Sequence, residues 1–510
     1  MQNFDLADYL LQHLNQGGAL PQNRQLYRLI RQAILDKILP IHSRLPASRE
    51  LAREMGIARN TVMYAYEQLI AEGYLHTRKG SGSFVADTLS ETLLNPGQKK
   101  RSKKTDGDSV PSSSITPPAL SKRGNKLVAQ AGAAAQQWGA FVPGVPDVSQ
   151  FPYAVWNKIQ SKLWRKPEIS SLTYSQGGGL PALRVAIADY LKGARSVVCE
   201  PEQIIITNGT HQSIDLCLRL LSDPGDIAWI EDPCYWGARN LLLASGLQLR
   251  PIAVDAEGMN PKDEDKKVVQ RFIFVTPSHQ YPLGMVMSLS RRRSLLEYAA
   301  HYGSWIIEDD YDSEFRYKGR PLACLQGMDS AERVLYMGTF SKTMFPGLRL
   351  GYLVVPPGLT PAFITGMEEL YRSGQETLQA CMAEFMRLSY YHAHIRRMRL
   401  LYGTRLERLQ NEIKRHFPKG EVQATGSDAG LHLTLRLPAH CKDQEIAKAA
   451  LKQGIASRAL SSYFHSTEQA MAGLVLGYAS VSEDEIITAF AKLAAVIREH
   501  LSMKITANAV

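Results

Sequence analysis

The sequence predicts an α/β protein in two parts: a small N-terminal module of helices with a β-hairpin, then a large body on a mostly parallel sheet with a smaller C-terminal subdomain. Three observations carry this. The chain has 510 residues, more than one hydrophobic core ordinarily serves. Helical periodicity up to Glu72 gives way beyond Trp138 to short apolar runs without alternation, the pattern of strands buried on both faces. Between them, residues 88–136 hold Lys99-Lys100-Arg101, Lys103-Lys104, Pro111-Ser112-Ser113-Ser114 and Pro117-Pro118, a basic, Pro/Ser-rich composition that cannot bury a core. The expected division is therefore 22–87 for the module, 88–136 for a linker and 137–505 for the body.

Bulk composition narrows the class. Hydrophobic residues at 45% and charged residues at 21% are those of a folded globular chain. No apolar run reaches membrane length, and Met1 to Leu20 is polar and acidic without a signal-peptide pattern, so a cytoplasmic protein with no membrane partner is expected. The six cysteines are scattered, with neither a Cys-x-x-Cys pair nor His partners at ligand spacing, which excludes a disulfide framework and a zinc site. The formal charge of +10 is uneven: residues 1–126 hold eighteen Lys/Arg against eleven Asp/Glu. Basicity concentrated in one module is the footprint of a nucleic-acid contact.

In the N-terminal module, Leu26, Leu29, Ile30, Ala33, Ile34 and Ile38 form a helical stripe over Gln25 to Leu39, closed by Pro40. Ser48 reads as the N-cap of a short helix with Leu51, Ala52 and Met55 inward. Gly56-Ile57-Ala58 turns the chain into a second helix from about Arg59 to Glu72, with Val62, Tyr66, Leu69 and Ile70 on one face. Two short strands, Tyr74 to Thr77 and Ser83 to Ala86, flank Lys79-Gly80-Ser81-Gly82. Two helices across a turn, then a glycine-tipped hairpin, make a winged helix-turn-helix, a double-stranded DNA reader. Arg44, Ser48, Arg49, Arg59, Asn60, Thr61 and Tyr64 lie at or near the helix starts, where phosphates and base edges are met, and Arg78, Lys79 and Gly80 lie on the wing.

In the body, Ile204 to Thr207, Ile227 to Ile230, Phe272 to Thr276, Trp305 to Glu308, Val334 to Thr339 and Leu350 to Val355 read as strands, with His211 to Leu221 and Leu289 to Tyr302 among the covering helices. A long helical stretch, Met386 to Phe417, and a strand-like run, Gly430 to Leu437, belong to the smaller subdomain. Lys342 follows the strand ending at Thr339, so its amine projects from the carboxyl edge of the sheet, where ligands of open α/β folds bind. Asp309 ends another strand, where a carboxylate can hold a pyridine nitrogen protonated, and Tyr311 is positioned to donate to a ring oxygen. Glu308 and Asp310 alternate to the opposite face and read as structural. Gly209-Thr210-His211 opens a helix whose backbone N–H groups can hold a phosphate, with Ser341 and Arg349 completing the cradle. Tyr235 is a candidate to stack on a ring, or equally a core residue. An amine for a Schiff base, a carboxylate and a phosphate cradle together specify pyridoxal 5'-phosphate.

Arg44-Leu45-Pro46-Ala47-Ser48-Arg49-Glu50-Leu51-Ala52, Arg59-Asn60-Thr61-Val62 and Gly80-Ser81-Gly82-Ser83-Phe84-Val85 resemble the head of GntR-type regulators. Thr276-Pro277-Ser278-His279-Gln280-Tyr281-Pro282, Glu308-Asp309-Asp310-Tyr311-Asp312-Ser313-Glu314-Phe315 and Gly338-Thr339-Phe340-Ser341-Lys342 resemble a cofactor-binding body of the type I aminotransferase fold. The combination resembles the MocR subfamily of GntR-type bacterial transcription regulators over nearly the whole chain. The resemblance implies Lys342 as the internal aldimine lysine, Asp309 as the pyridine partner, Tyr311 against the ring oxygen, Tyr235 stacking and Arg349 on the phosphate. It also implies a homodimer that binds operator DNA and responds to an amine, an amino acid or the cofactor itself. The chain departs from plain aminotransferases twice. Tyr281 stands where they carry an asparagine before proline, and Gly473 to Ala479 lacks the arginine they use for a substrate carboxylate, for which Arg239 or Arg458 could substitute. Two rival readings stay open: a working aminotransferase with an accessory DNA module, and a scaffold whose cofactor site is vestigial.

Overall fold

The structure, a computed structural model, describes residues 5–14, 20–78, 80–87, 119–129, 138–173, 177–319, 323–372, 374–426, 428–466 and 468–507. Two units separate, Met1–Thr116 and Pro117–Val510.

In the first unit, helix α1 (Leu6–His13) is capped by Asp5 and buries Leu6, Ala7 and Leu10, an element the polar N-terminal composition did not suggest. Helix α2 (Gln22–Leu35) turns Leu26, Ile30, Ala33 and Ile34 inward at helical spacing. It stops at Asp36, four residues before Pro40, because Lys37 takes a left-handed conformation (φ 59°). Ile38 is consequently left on the surface. Helix α3 (Ser48–Glu54) and helix α4 (Arg59–Ala71) follow, joined through Gly56, whose positive φ of 64° the turn requires. Ser48 is the first helical residue and not the N-cap: extended Ala47 holds that place, and no side chain caps the helix. Strands β1 (Leu75–Arg78) and β2 (Gly82–Val85) pair antiparallel as the wing. Leu45 N–H donates to the Ser83 carbonyl at 2.9 Å and Arg44 bridges Phe84, so the segment before α3 lies along the hairpin. Buried Leu26, Ile30, Leu51, Val62, Leu69 and Val85 close one core.

In the second unit, the strands are β3 (Ile204–Thr207), β4 (Ile227–Asp232), β5 (Gln248–Asp255), β6 (Gly258–Met259), β7 (Phe272–Val275), β8 (Trp305–Asp309), β9 (Val334–Thr339) and β10 (Gly351–Val354). They form one sheet in the order β3-β10-β9-β8-β7-β4-β5-β6. The run β9-β8-β7-β4-β5 is parallel, while β10 lies antiparallel between β3 and β9. Strands β5 and β6 escape a search for continuous apolar runs because β5 is half-exposed along most of its length and β6 is only two residues long. Ile204 to Ile206, Phe272 to Val275 and Ile306 to Ile307 are buried completely, covered on their two faces by different core clusters. Gly351 makes the closest approach at the sheet's working edge. A Cβ there would lie 2.8 Å from the Gly209 Cα and 3.0 Å from the Gly338 carbonyl oxygen.

A second sheet, β11 (Gln423–Thr425), β12 (His432–Arg436), β14 (Gly473–Gly477) and β13 (Arg458–Ala459), is antiparallel throughout. The helical stretch expected as one piece from Met386 is two helices, Glu376–Arg387 and Tyr390–His416, broken where Ser389 takes φ 62°. Lys122–Ala129 is helical although it lies inside the segment expected to be a linker; eight consecutive non-proline residues with Ser121 before them suffice to make two turns. Among the described residues no helix is long and apolar enough to cross a membrane.

Candidate functional site

The carboxyl ends of β3, β8 and β9 meet at one edge of the large sheet. Parallel pairing sets Asp309 beside Met337, and antiparallel pairing sets Gly351 beside both Thr207 and Thr339. The loops leaving these ends surround a cavity of about 270 Å³. Its lining includes Gly209, Thr210, His211, Tyr235, Asp309, Tyr311, Ser341, Lys342 and Arg349, so every cofactor-site residue singled out from sequence converges on it.

The floor is a lysine amine and a buried carboxyl group. Lys342 donates from Nζ to the Gly144 carbonyl at 2.7 Å, and a Cβ on Gly144 (φ 72°) would sit 3.0 Å from that nitrogen, so a glycine is what allows the loop to come this close. Burial holds the Lys342 amine below its ordinary pKa, against the opposing pull of Asp312 and Asp309. Asp309 is 4% exposed, and its Oδ1 has no hydrogen-bond partner among the described residues. Burial first, and the neighbouring Asp310 carboxylate second, push its carboxyl up to about 8. A buried carboxylate oxygen aimed at a cavity with nothing to bind costs free energy unless a cationic or donating group fills the space.

Walls and rim follow from the same local rules. Gly209, with φ 101°, caps the helix Thr210–Leu221, and the first N–H groups of a helix have no partner inside it. A Cβ on Gly209 would lie 3.8 Å from the Arg349 guanidinium, which puts that cation over the helix N-terminus. Tyr235 bonds His211 Nε2 through its hydroxyl at 2.8 Å, and burial keeps its phenol protonated. Tyr311 meets His279 Nδ1 at 3.1 Å, and the same nitrogen lies 3.1 Å from Asp312. The Tyr311 hydroxyl is thus held in place by a histidine before any ligand arrives.

Glu308 and Asp310 do turn away from the cavity. Glu308 accepts from the Leu325 and Gln326 amides at 2.9 and 3.0 Å, capping a short helix, and Asp310 takes a two-pronged contact from Arg195 at 2.7 and 3.2 Å. Arg239 is engaged elsewhere, donating to the Phe464 carbonyl at 3.0 Å, while Arg458 lines the cavity. Sequence reasoning missed Pro143, Gly144, Trp236, Thr276 and Thr339 as lining residues. Thr276 was visible inside its motif, but Pro143-Gly144 lies far upstream of Lys342 and only folding brings them together.

In the first unit, Arg44, Arg49, Arg59, Asn60, Arg78 and Gly80 are exposed, Tyr64 is 39% exposed, and Ser48 and Thr61 are half-buried. Lys79 lies outside the described residues. Arg59, Asn60 and Thr61 form the first turn of α4, and Arg49 is the second residue of α3. Arg44 lies against the wing at Gly82, and Arg78 stacks on the Phe84 ring at 4.9 Å.

A winged helix-turn-helix joined to a type I aminotransferase fold with a lysine, a buried carboxylate and a helix N-terminus around one cavity defines a class: a DNA-binding head with a pyridoxal phosphate body. Comparison with known proteins agrees. The family described as "Bacterial regulatory proteins, gntR family" matches residues 22–85, and "Aminotransferase class I and II" matches residues 169–493. The chain is 39% identical over 470 residues, 92% of each chain, to the probable rhizopine catabolism regulatory protein MocR of Rhizobium meliloti. It is 31% identical to the HTH-type pyridoxine biosynthesis transcriptional regulator PdxR of Corynebacterium glutamicum, covering 91% of this chain and 93% of that one. Among solved structures, Pyrococcus horikoshii kynurenine aminotransferase in complex with PMP superposes with a TM-score of 0.66 at 26% identity, over 76% of this chain and 96% of that one. The chain belongs to the MocR subfamily of GntR-type regulators, and its cofactor is pyridoxal 5'-phosphate.

Proposed function

We propose that this protein is a pyridoxal-phosphate-dependent transcription regulator: a homodimer that grips operator DNA through residues 22–87 and changes its affinity when an amine, an amino acid or the cofactor engages the body at 137–505, with 88–136 as the connection. The observation that carries the reading is the unpartnered Asp309 oxygen facing Lys342 across one cavity in a chain that also holds a winged helix-turn-helix. Bound pyridoxal phosphate supplies an aldehyde for amines and a ring that withdraws electrons when its nitrogen is protonated.

The residues divide the work by position. Asp309 would keep the pyridine nitrogen protonated, a role that its exclusion from water strengthens. The Gly209-Thr210-His211 turn, Ser341 and Arg349 would hold the phosphate through the helix N-terminus and a guanidinium. Tyr235 would stack against the ring, and Tyr311, oriented by His279, would meet the ring oxygen. A Lys342 amine below its ordinary pKa holds a larger neutral fraction, the form that condenses with an aldehyde. In the head, the unpaired first turn of α4 presents Arg59, Asn60 and Thr61 for base edges, with Arg44, Ser48, Arg49, Tyr64 and the wing residues Arg78, Lys79 and Gly80 on the backbone. Localisation in the cytoplasm, on the nucleoid when DNA-bound, follows from that partner.

A working aminotransferase is the alternative, favoured by the complete lysine and carboxylate pair. Against it, β14 carries Gly473-Leu474-Val475-Leu476-Gly477, with no arginine for a substrate carboxylate. Borohydride reduction of the cofactor-loaded protein followed by peptide mapping tests the reading: a phosphopyridoxyl group is expected on Lys342, and promoter fragments should shift in the same preparation. Loss of either result would overturn it, and sustained turnover between an amino acid and a keto acid would favour the alternative.

A further inference from the structure

Asp312 is buried and does not line the cavity, yet both of its oxygens are engaged behind the wall. Oδ1 and Oδ2 lie 3.2 and 3.1 Å from His279 Nδ1, and Oδ2 also accepts from the Leu431 N–H at 3.3 Å, just ahead of β12. The same imidazole nitrogen meets the Tyr311 hydroxyl at 3.1 Å, so a carboxyl group and a phenol share one ring nitrogen. A carboxylate only accepts, which assigns the hydrogen to Nδ1; the phenol oxygen then accepts too, because a protonated Nδ1 has no lone pair to offer. The Tyr311 proton is left free to point elsewhere, and its residue lines the cavity with no other hydrogen-bond partner among the described residues. Burial keeps that phenol protonated. The surroundings hold the imidazole in this state. A Cβ on Gly430 (φ 83°) would sit 2.1 Å from His279 Cε1, and one on Gly284 (φ 78°) 3.0 Å from Nε2, so the ring is wedged between two glycines. Its Nε2 is buried without a partner, which suits a bare lone pair better than an orphaned N–H. His432, with its ring centroid 4.9 Å away, donates from Nε2 to the Pro282 carbonyl at 3.1 Å and likewise leaves Nδ1 unpartnered. Each imidazole thus carries one proton, on the nitrogen that has an acceptor.

We infer that Asp312 is a positioning residue for the cofactor's ring oxygen: it holds His279 as the Nδ1–H tautomer, which turns the Tyr311 proton toward the cavity. The inference rests on the pyridoxal phosphate reading of that cavity and supplies the direction of a hydrogen bond that heavy-atom positions leave open. Without the carboxylate, Nδ1 is free to take the tyrosine proton, and the phenol then meets the ring oxygen lone pair to lone pair. The other two phenols lining the cavity are spent, Tyr235 on His211 at 2.8 Å and Tyr281 on Tyr463 at 3.2 Å, so Tyr311 is the one left to donate. The Leu431 contact adds the small sheet to the device. His432 and Thr434 of β12 hold the Pro282 carbonyl at 3.1 and 2.7 Å, so the place of Asp312 and the loop beyond His279 are set from both sheets.

The test strips the full-length protein of cofactor and titrates it calorimetrically with pyridoxal 5'-phosphate and with 3-deoxypyridoxal 5'-phosphate, which lacks the ring oxygen. The ratio of the two affinities reports on that oxygen alone. Tyr311→Phe calibrates it: the preference for the oxygen-bearing cofactor should shrink roughly 10-fold, the worth of one hydrogen bond. Asp312→Asn, whose amide can donate to Nδ1 and reverse the tautomer, should move most of the way to the Tyr311→Phe ratio while binding the 3-deoxy analogue as tightly as the native protein. His279→Phe, which keeps a ring between the two glycines but has no donor, should do the same, so a fold lost in one variant leaves the other to decide. A native ratio retained in Asp312→Asn would overturn the inference, as would an equal loss of affinity for both compounds, the mark of a merely structural role. An unchanged ratio in Tyr311→Phe would overturn it as well, while a borohydride adduct on Lys342 in the same preparation leaves the cofactor reading standing. Absence of that adduct from the native protein would overturn the cofactor reading itself.

Discussion

The head and the body place their charges in opposite settings. Arg44, Arg49 and Arg59 stand in solvent and have no ion pair among the described residues, whereas Asp309 is buried and Lys342 half-buried, both with shifted proton affinities. The difference follows from what each must bind. A polyanion with its own counterions is met by exposed cations, and affinity comes from released salt. A small molecule that reacts at one amine needs that amine partly neutral, which only burial provides. One chain therefore holds a salt-sensitive site and a proton-sensitive one, and each can be perturbed separately.

The largest effect expected from splitting them is with Lys342→Ala. It should abolish the borohydride-trapped adduct entirely while leaving bare operator binding by the head close to native in gel retardation; loss of all DNA affinity would deny that the two sites are separable. Asp309→Asn should act next. The Asp309 carboxyl titrates near 8 in the folded body and near 4 in an unfolded chain, so between those values the folded, cofactor-free protein holds a proton that the unfolded chain has released. Stability from this group is complete below about pH 4 and is lost as pH rises through about 8, a ceiling of ~4 kcal/mol over three pH units. Glu231, Glu308 and Glu314, each raised to about 7 by burial, act with the same sign and persist in the variant. The melting temperature of cofactor-free Asp309→Asn should therefore fall less steeply from pH 5 to pH 8 than that of the native protein, without becoming flat; parallel slopes would remove Asp309 from the account.

Smaller effects are expected in the head. Arg59→Ala should weaken operator binding by about 1–3 kcal/mol if the residue reads a base, at unchanged cofactor absorption. An unaltered affinity would strike it from the contact surface. Ser48→Ala should change the thermal stability of the head by less than ~0.5 kcal/mol, since Ser48 is inside α3 and caps nothing, where loss of a true N-cap costs about 1 kcal/mol. A drop of that larger size would restore the capping role.

Legibility from sequence followed interaction range. The strand ends at Thr207, Asp309 and Thr339 could be read because each is an unbroken apolar run closed by polar residues, and the order of these ends placed Lys342 and Asp309 on one edge. Elements with mixed exposure were harder. The half-exposed β5 lacked a continuous apolar signal, and the break at Ser389 lay inside a stretch whose periodicity continues on both sides. The cap of α3 was misread because serine before an apolar run matches the usual signal, while the actual cap is an alanine with extended backbone.

What the residues alone determined is the chemistry on offer: an amine, a carboxylate beyond a buried strand, a glycine before a helix, and exposed arginines at the starts of two short helices. These depend on local order along the chain, through strand burial, helix ends and turn geometry. Tertiary structure alone decided which groups share a space. Gly144 meets Lys342, His279 orients Tyr311, and Arg458 crosses from the small sheet while Arg239 is spent on a carbonyl. Such pairings join residues tens to hundreds of positions apart, and their geometry is fixed by sheet order and loop closure, quantities that no local pattern of amino acids encodes.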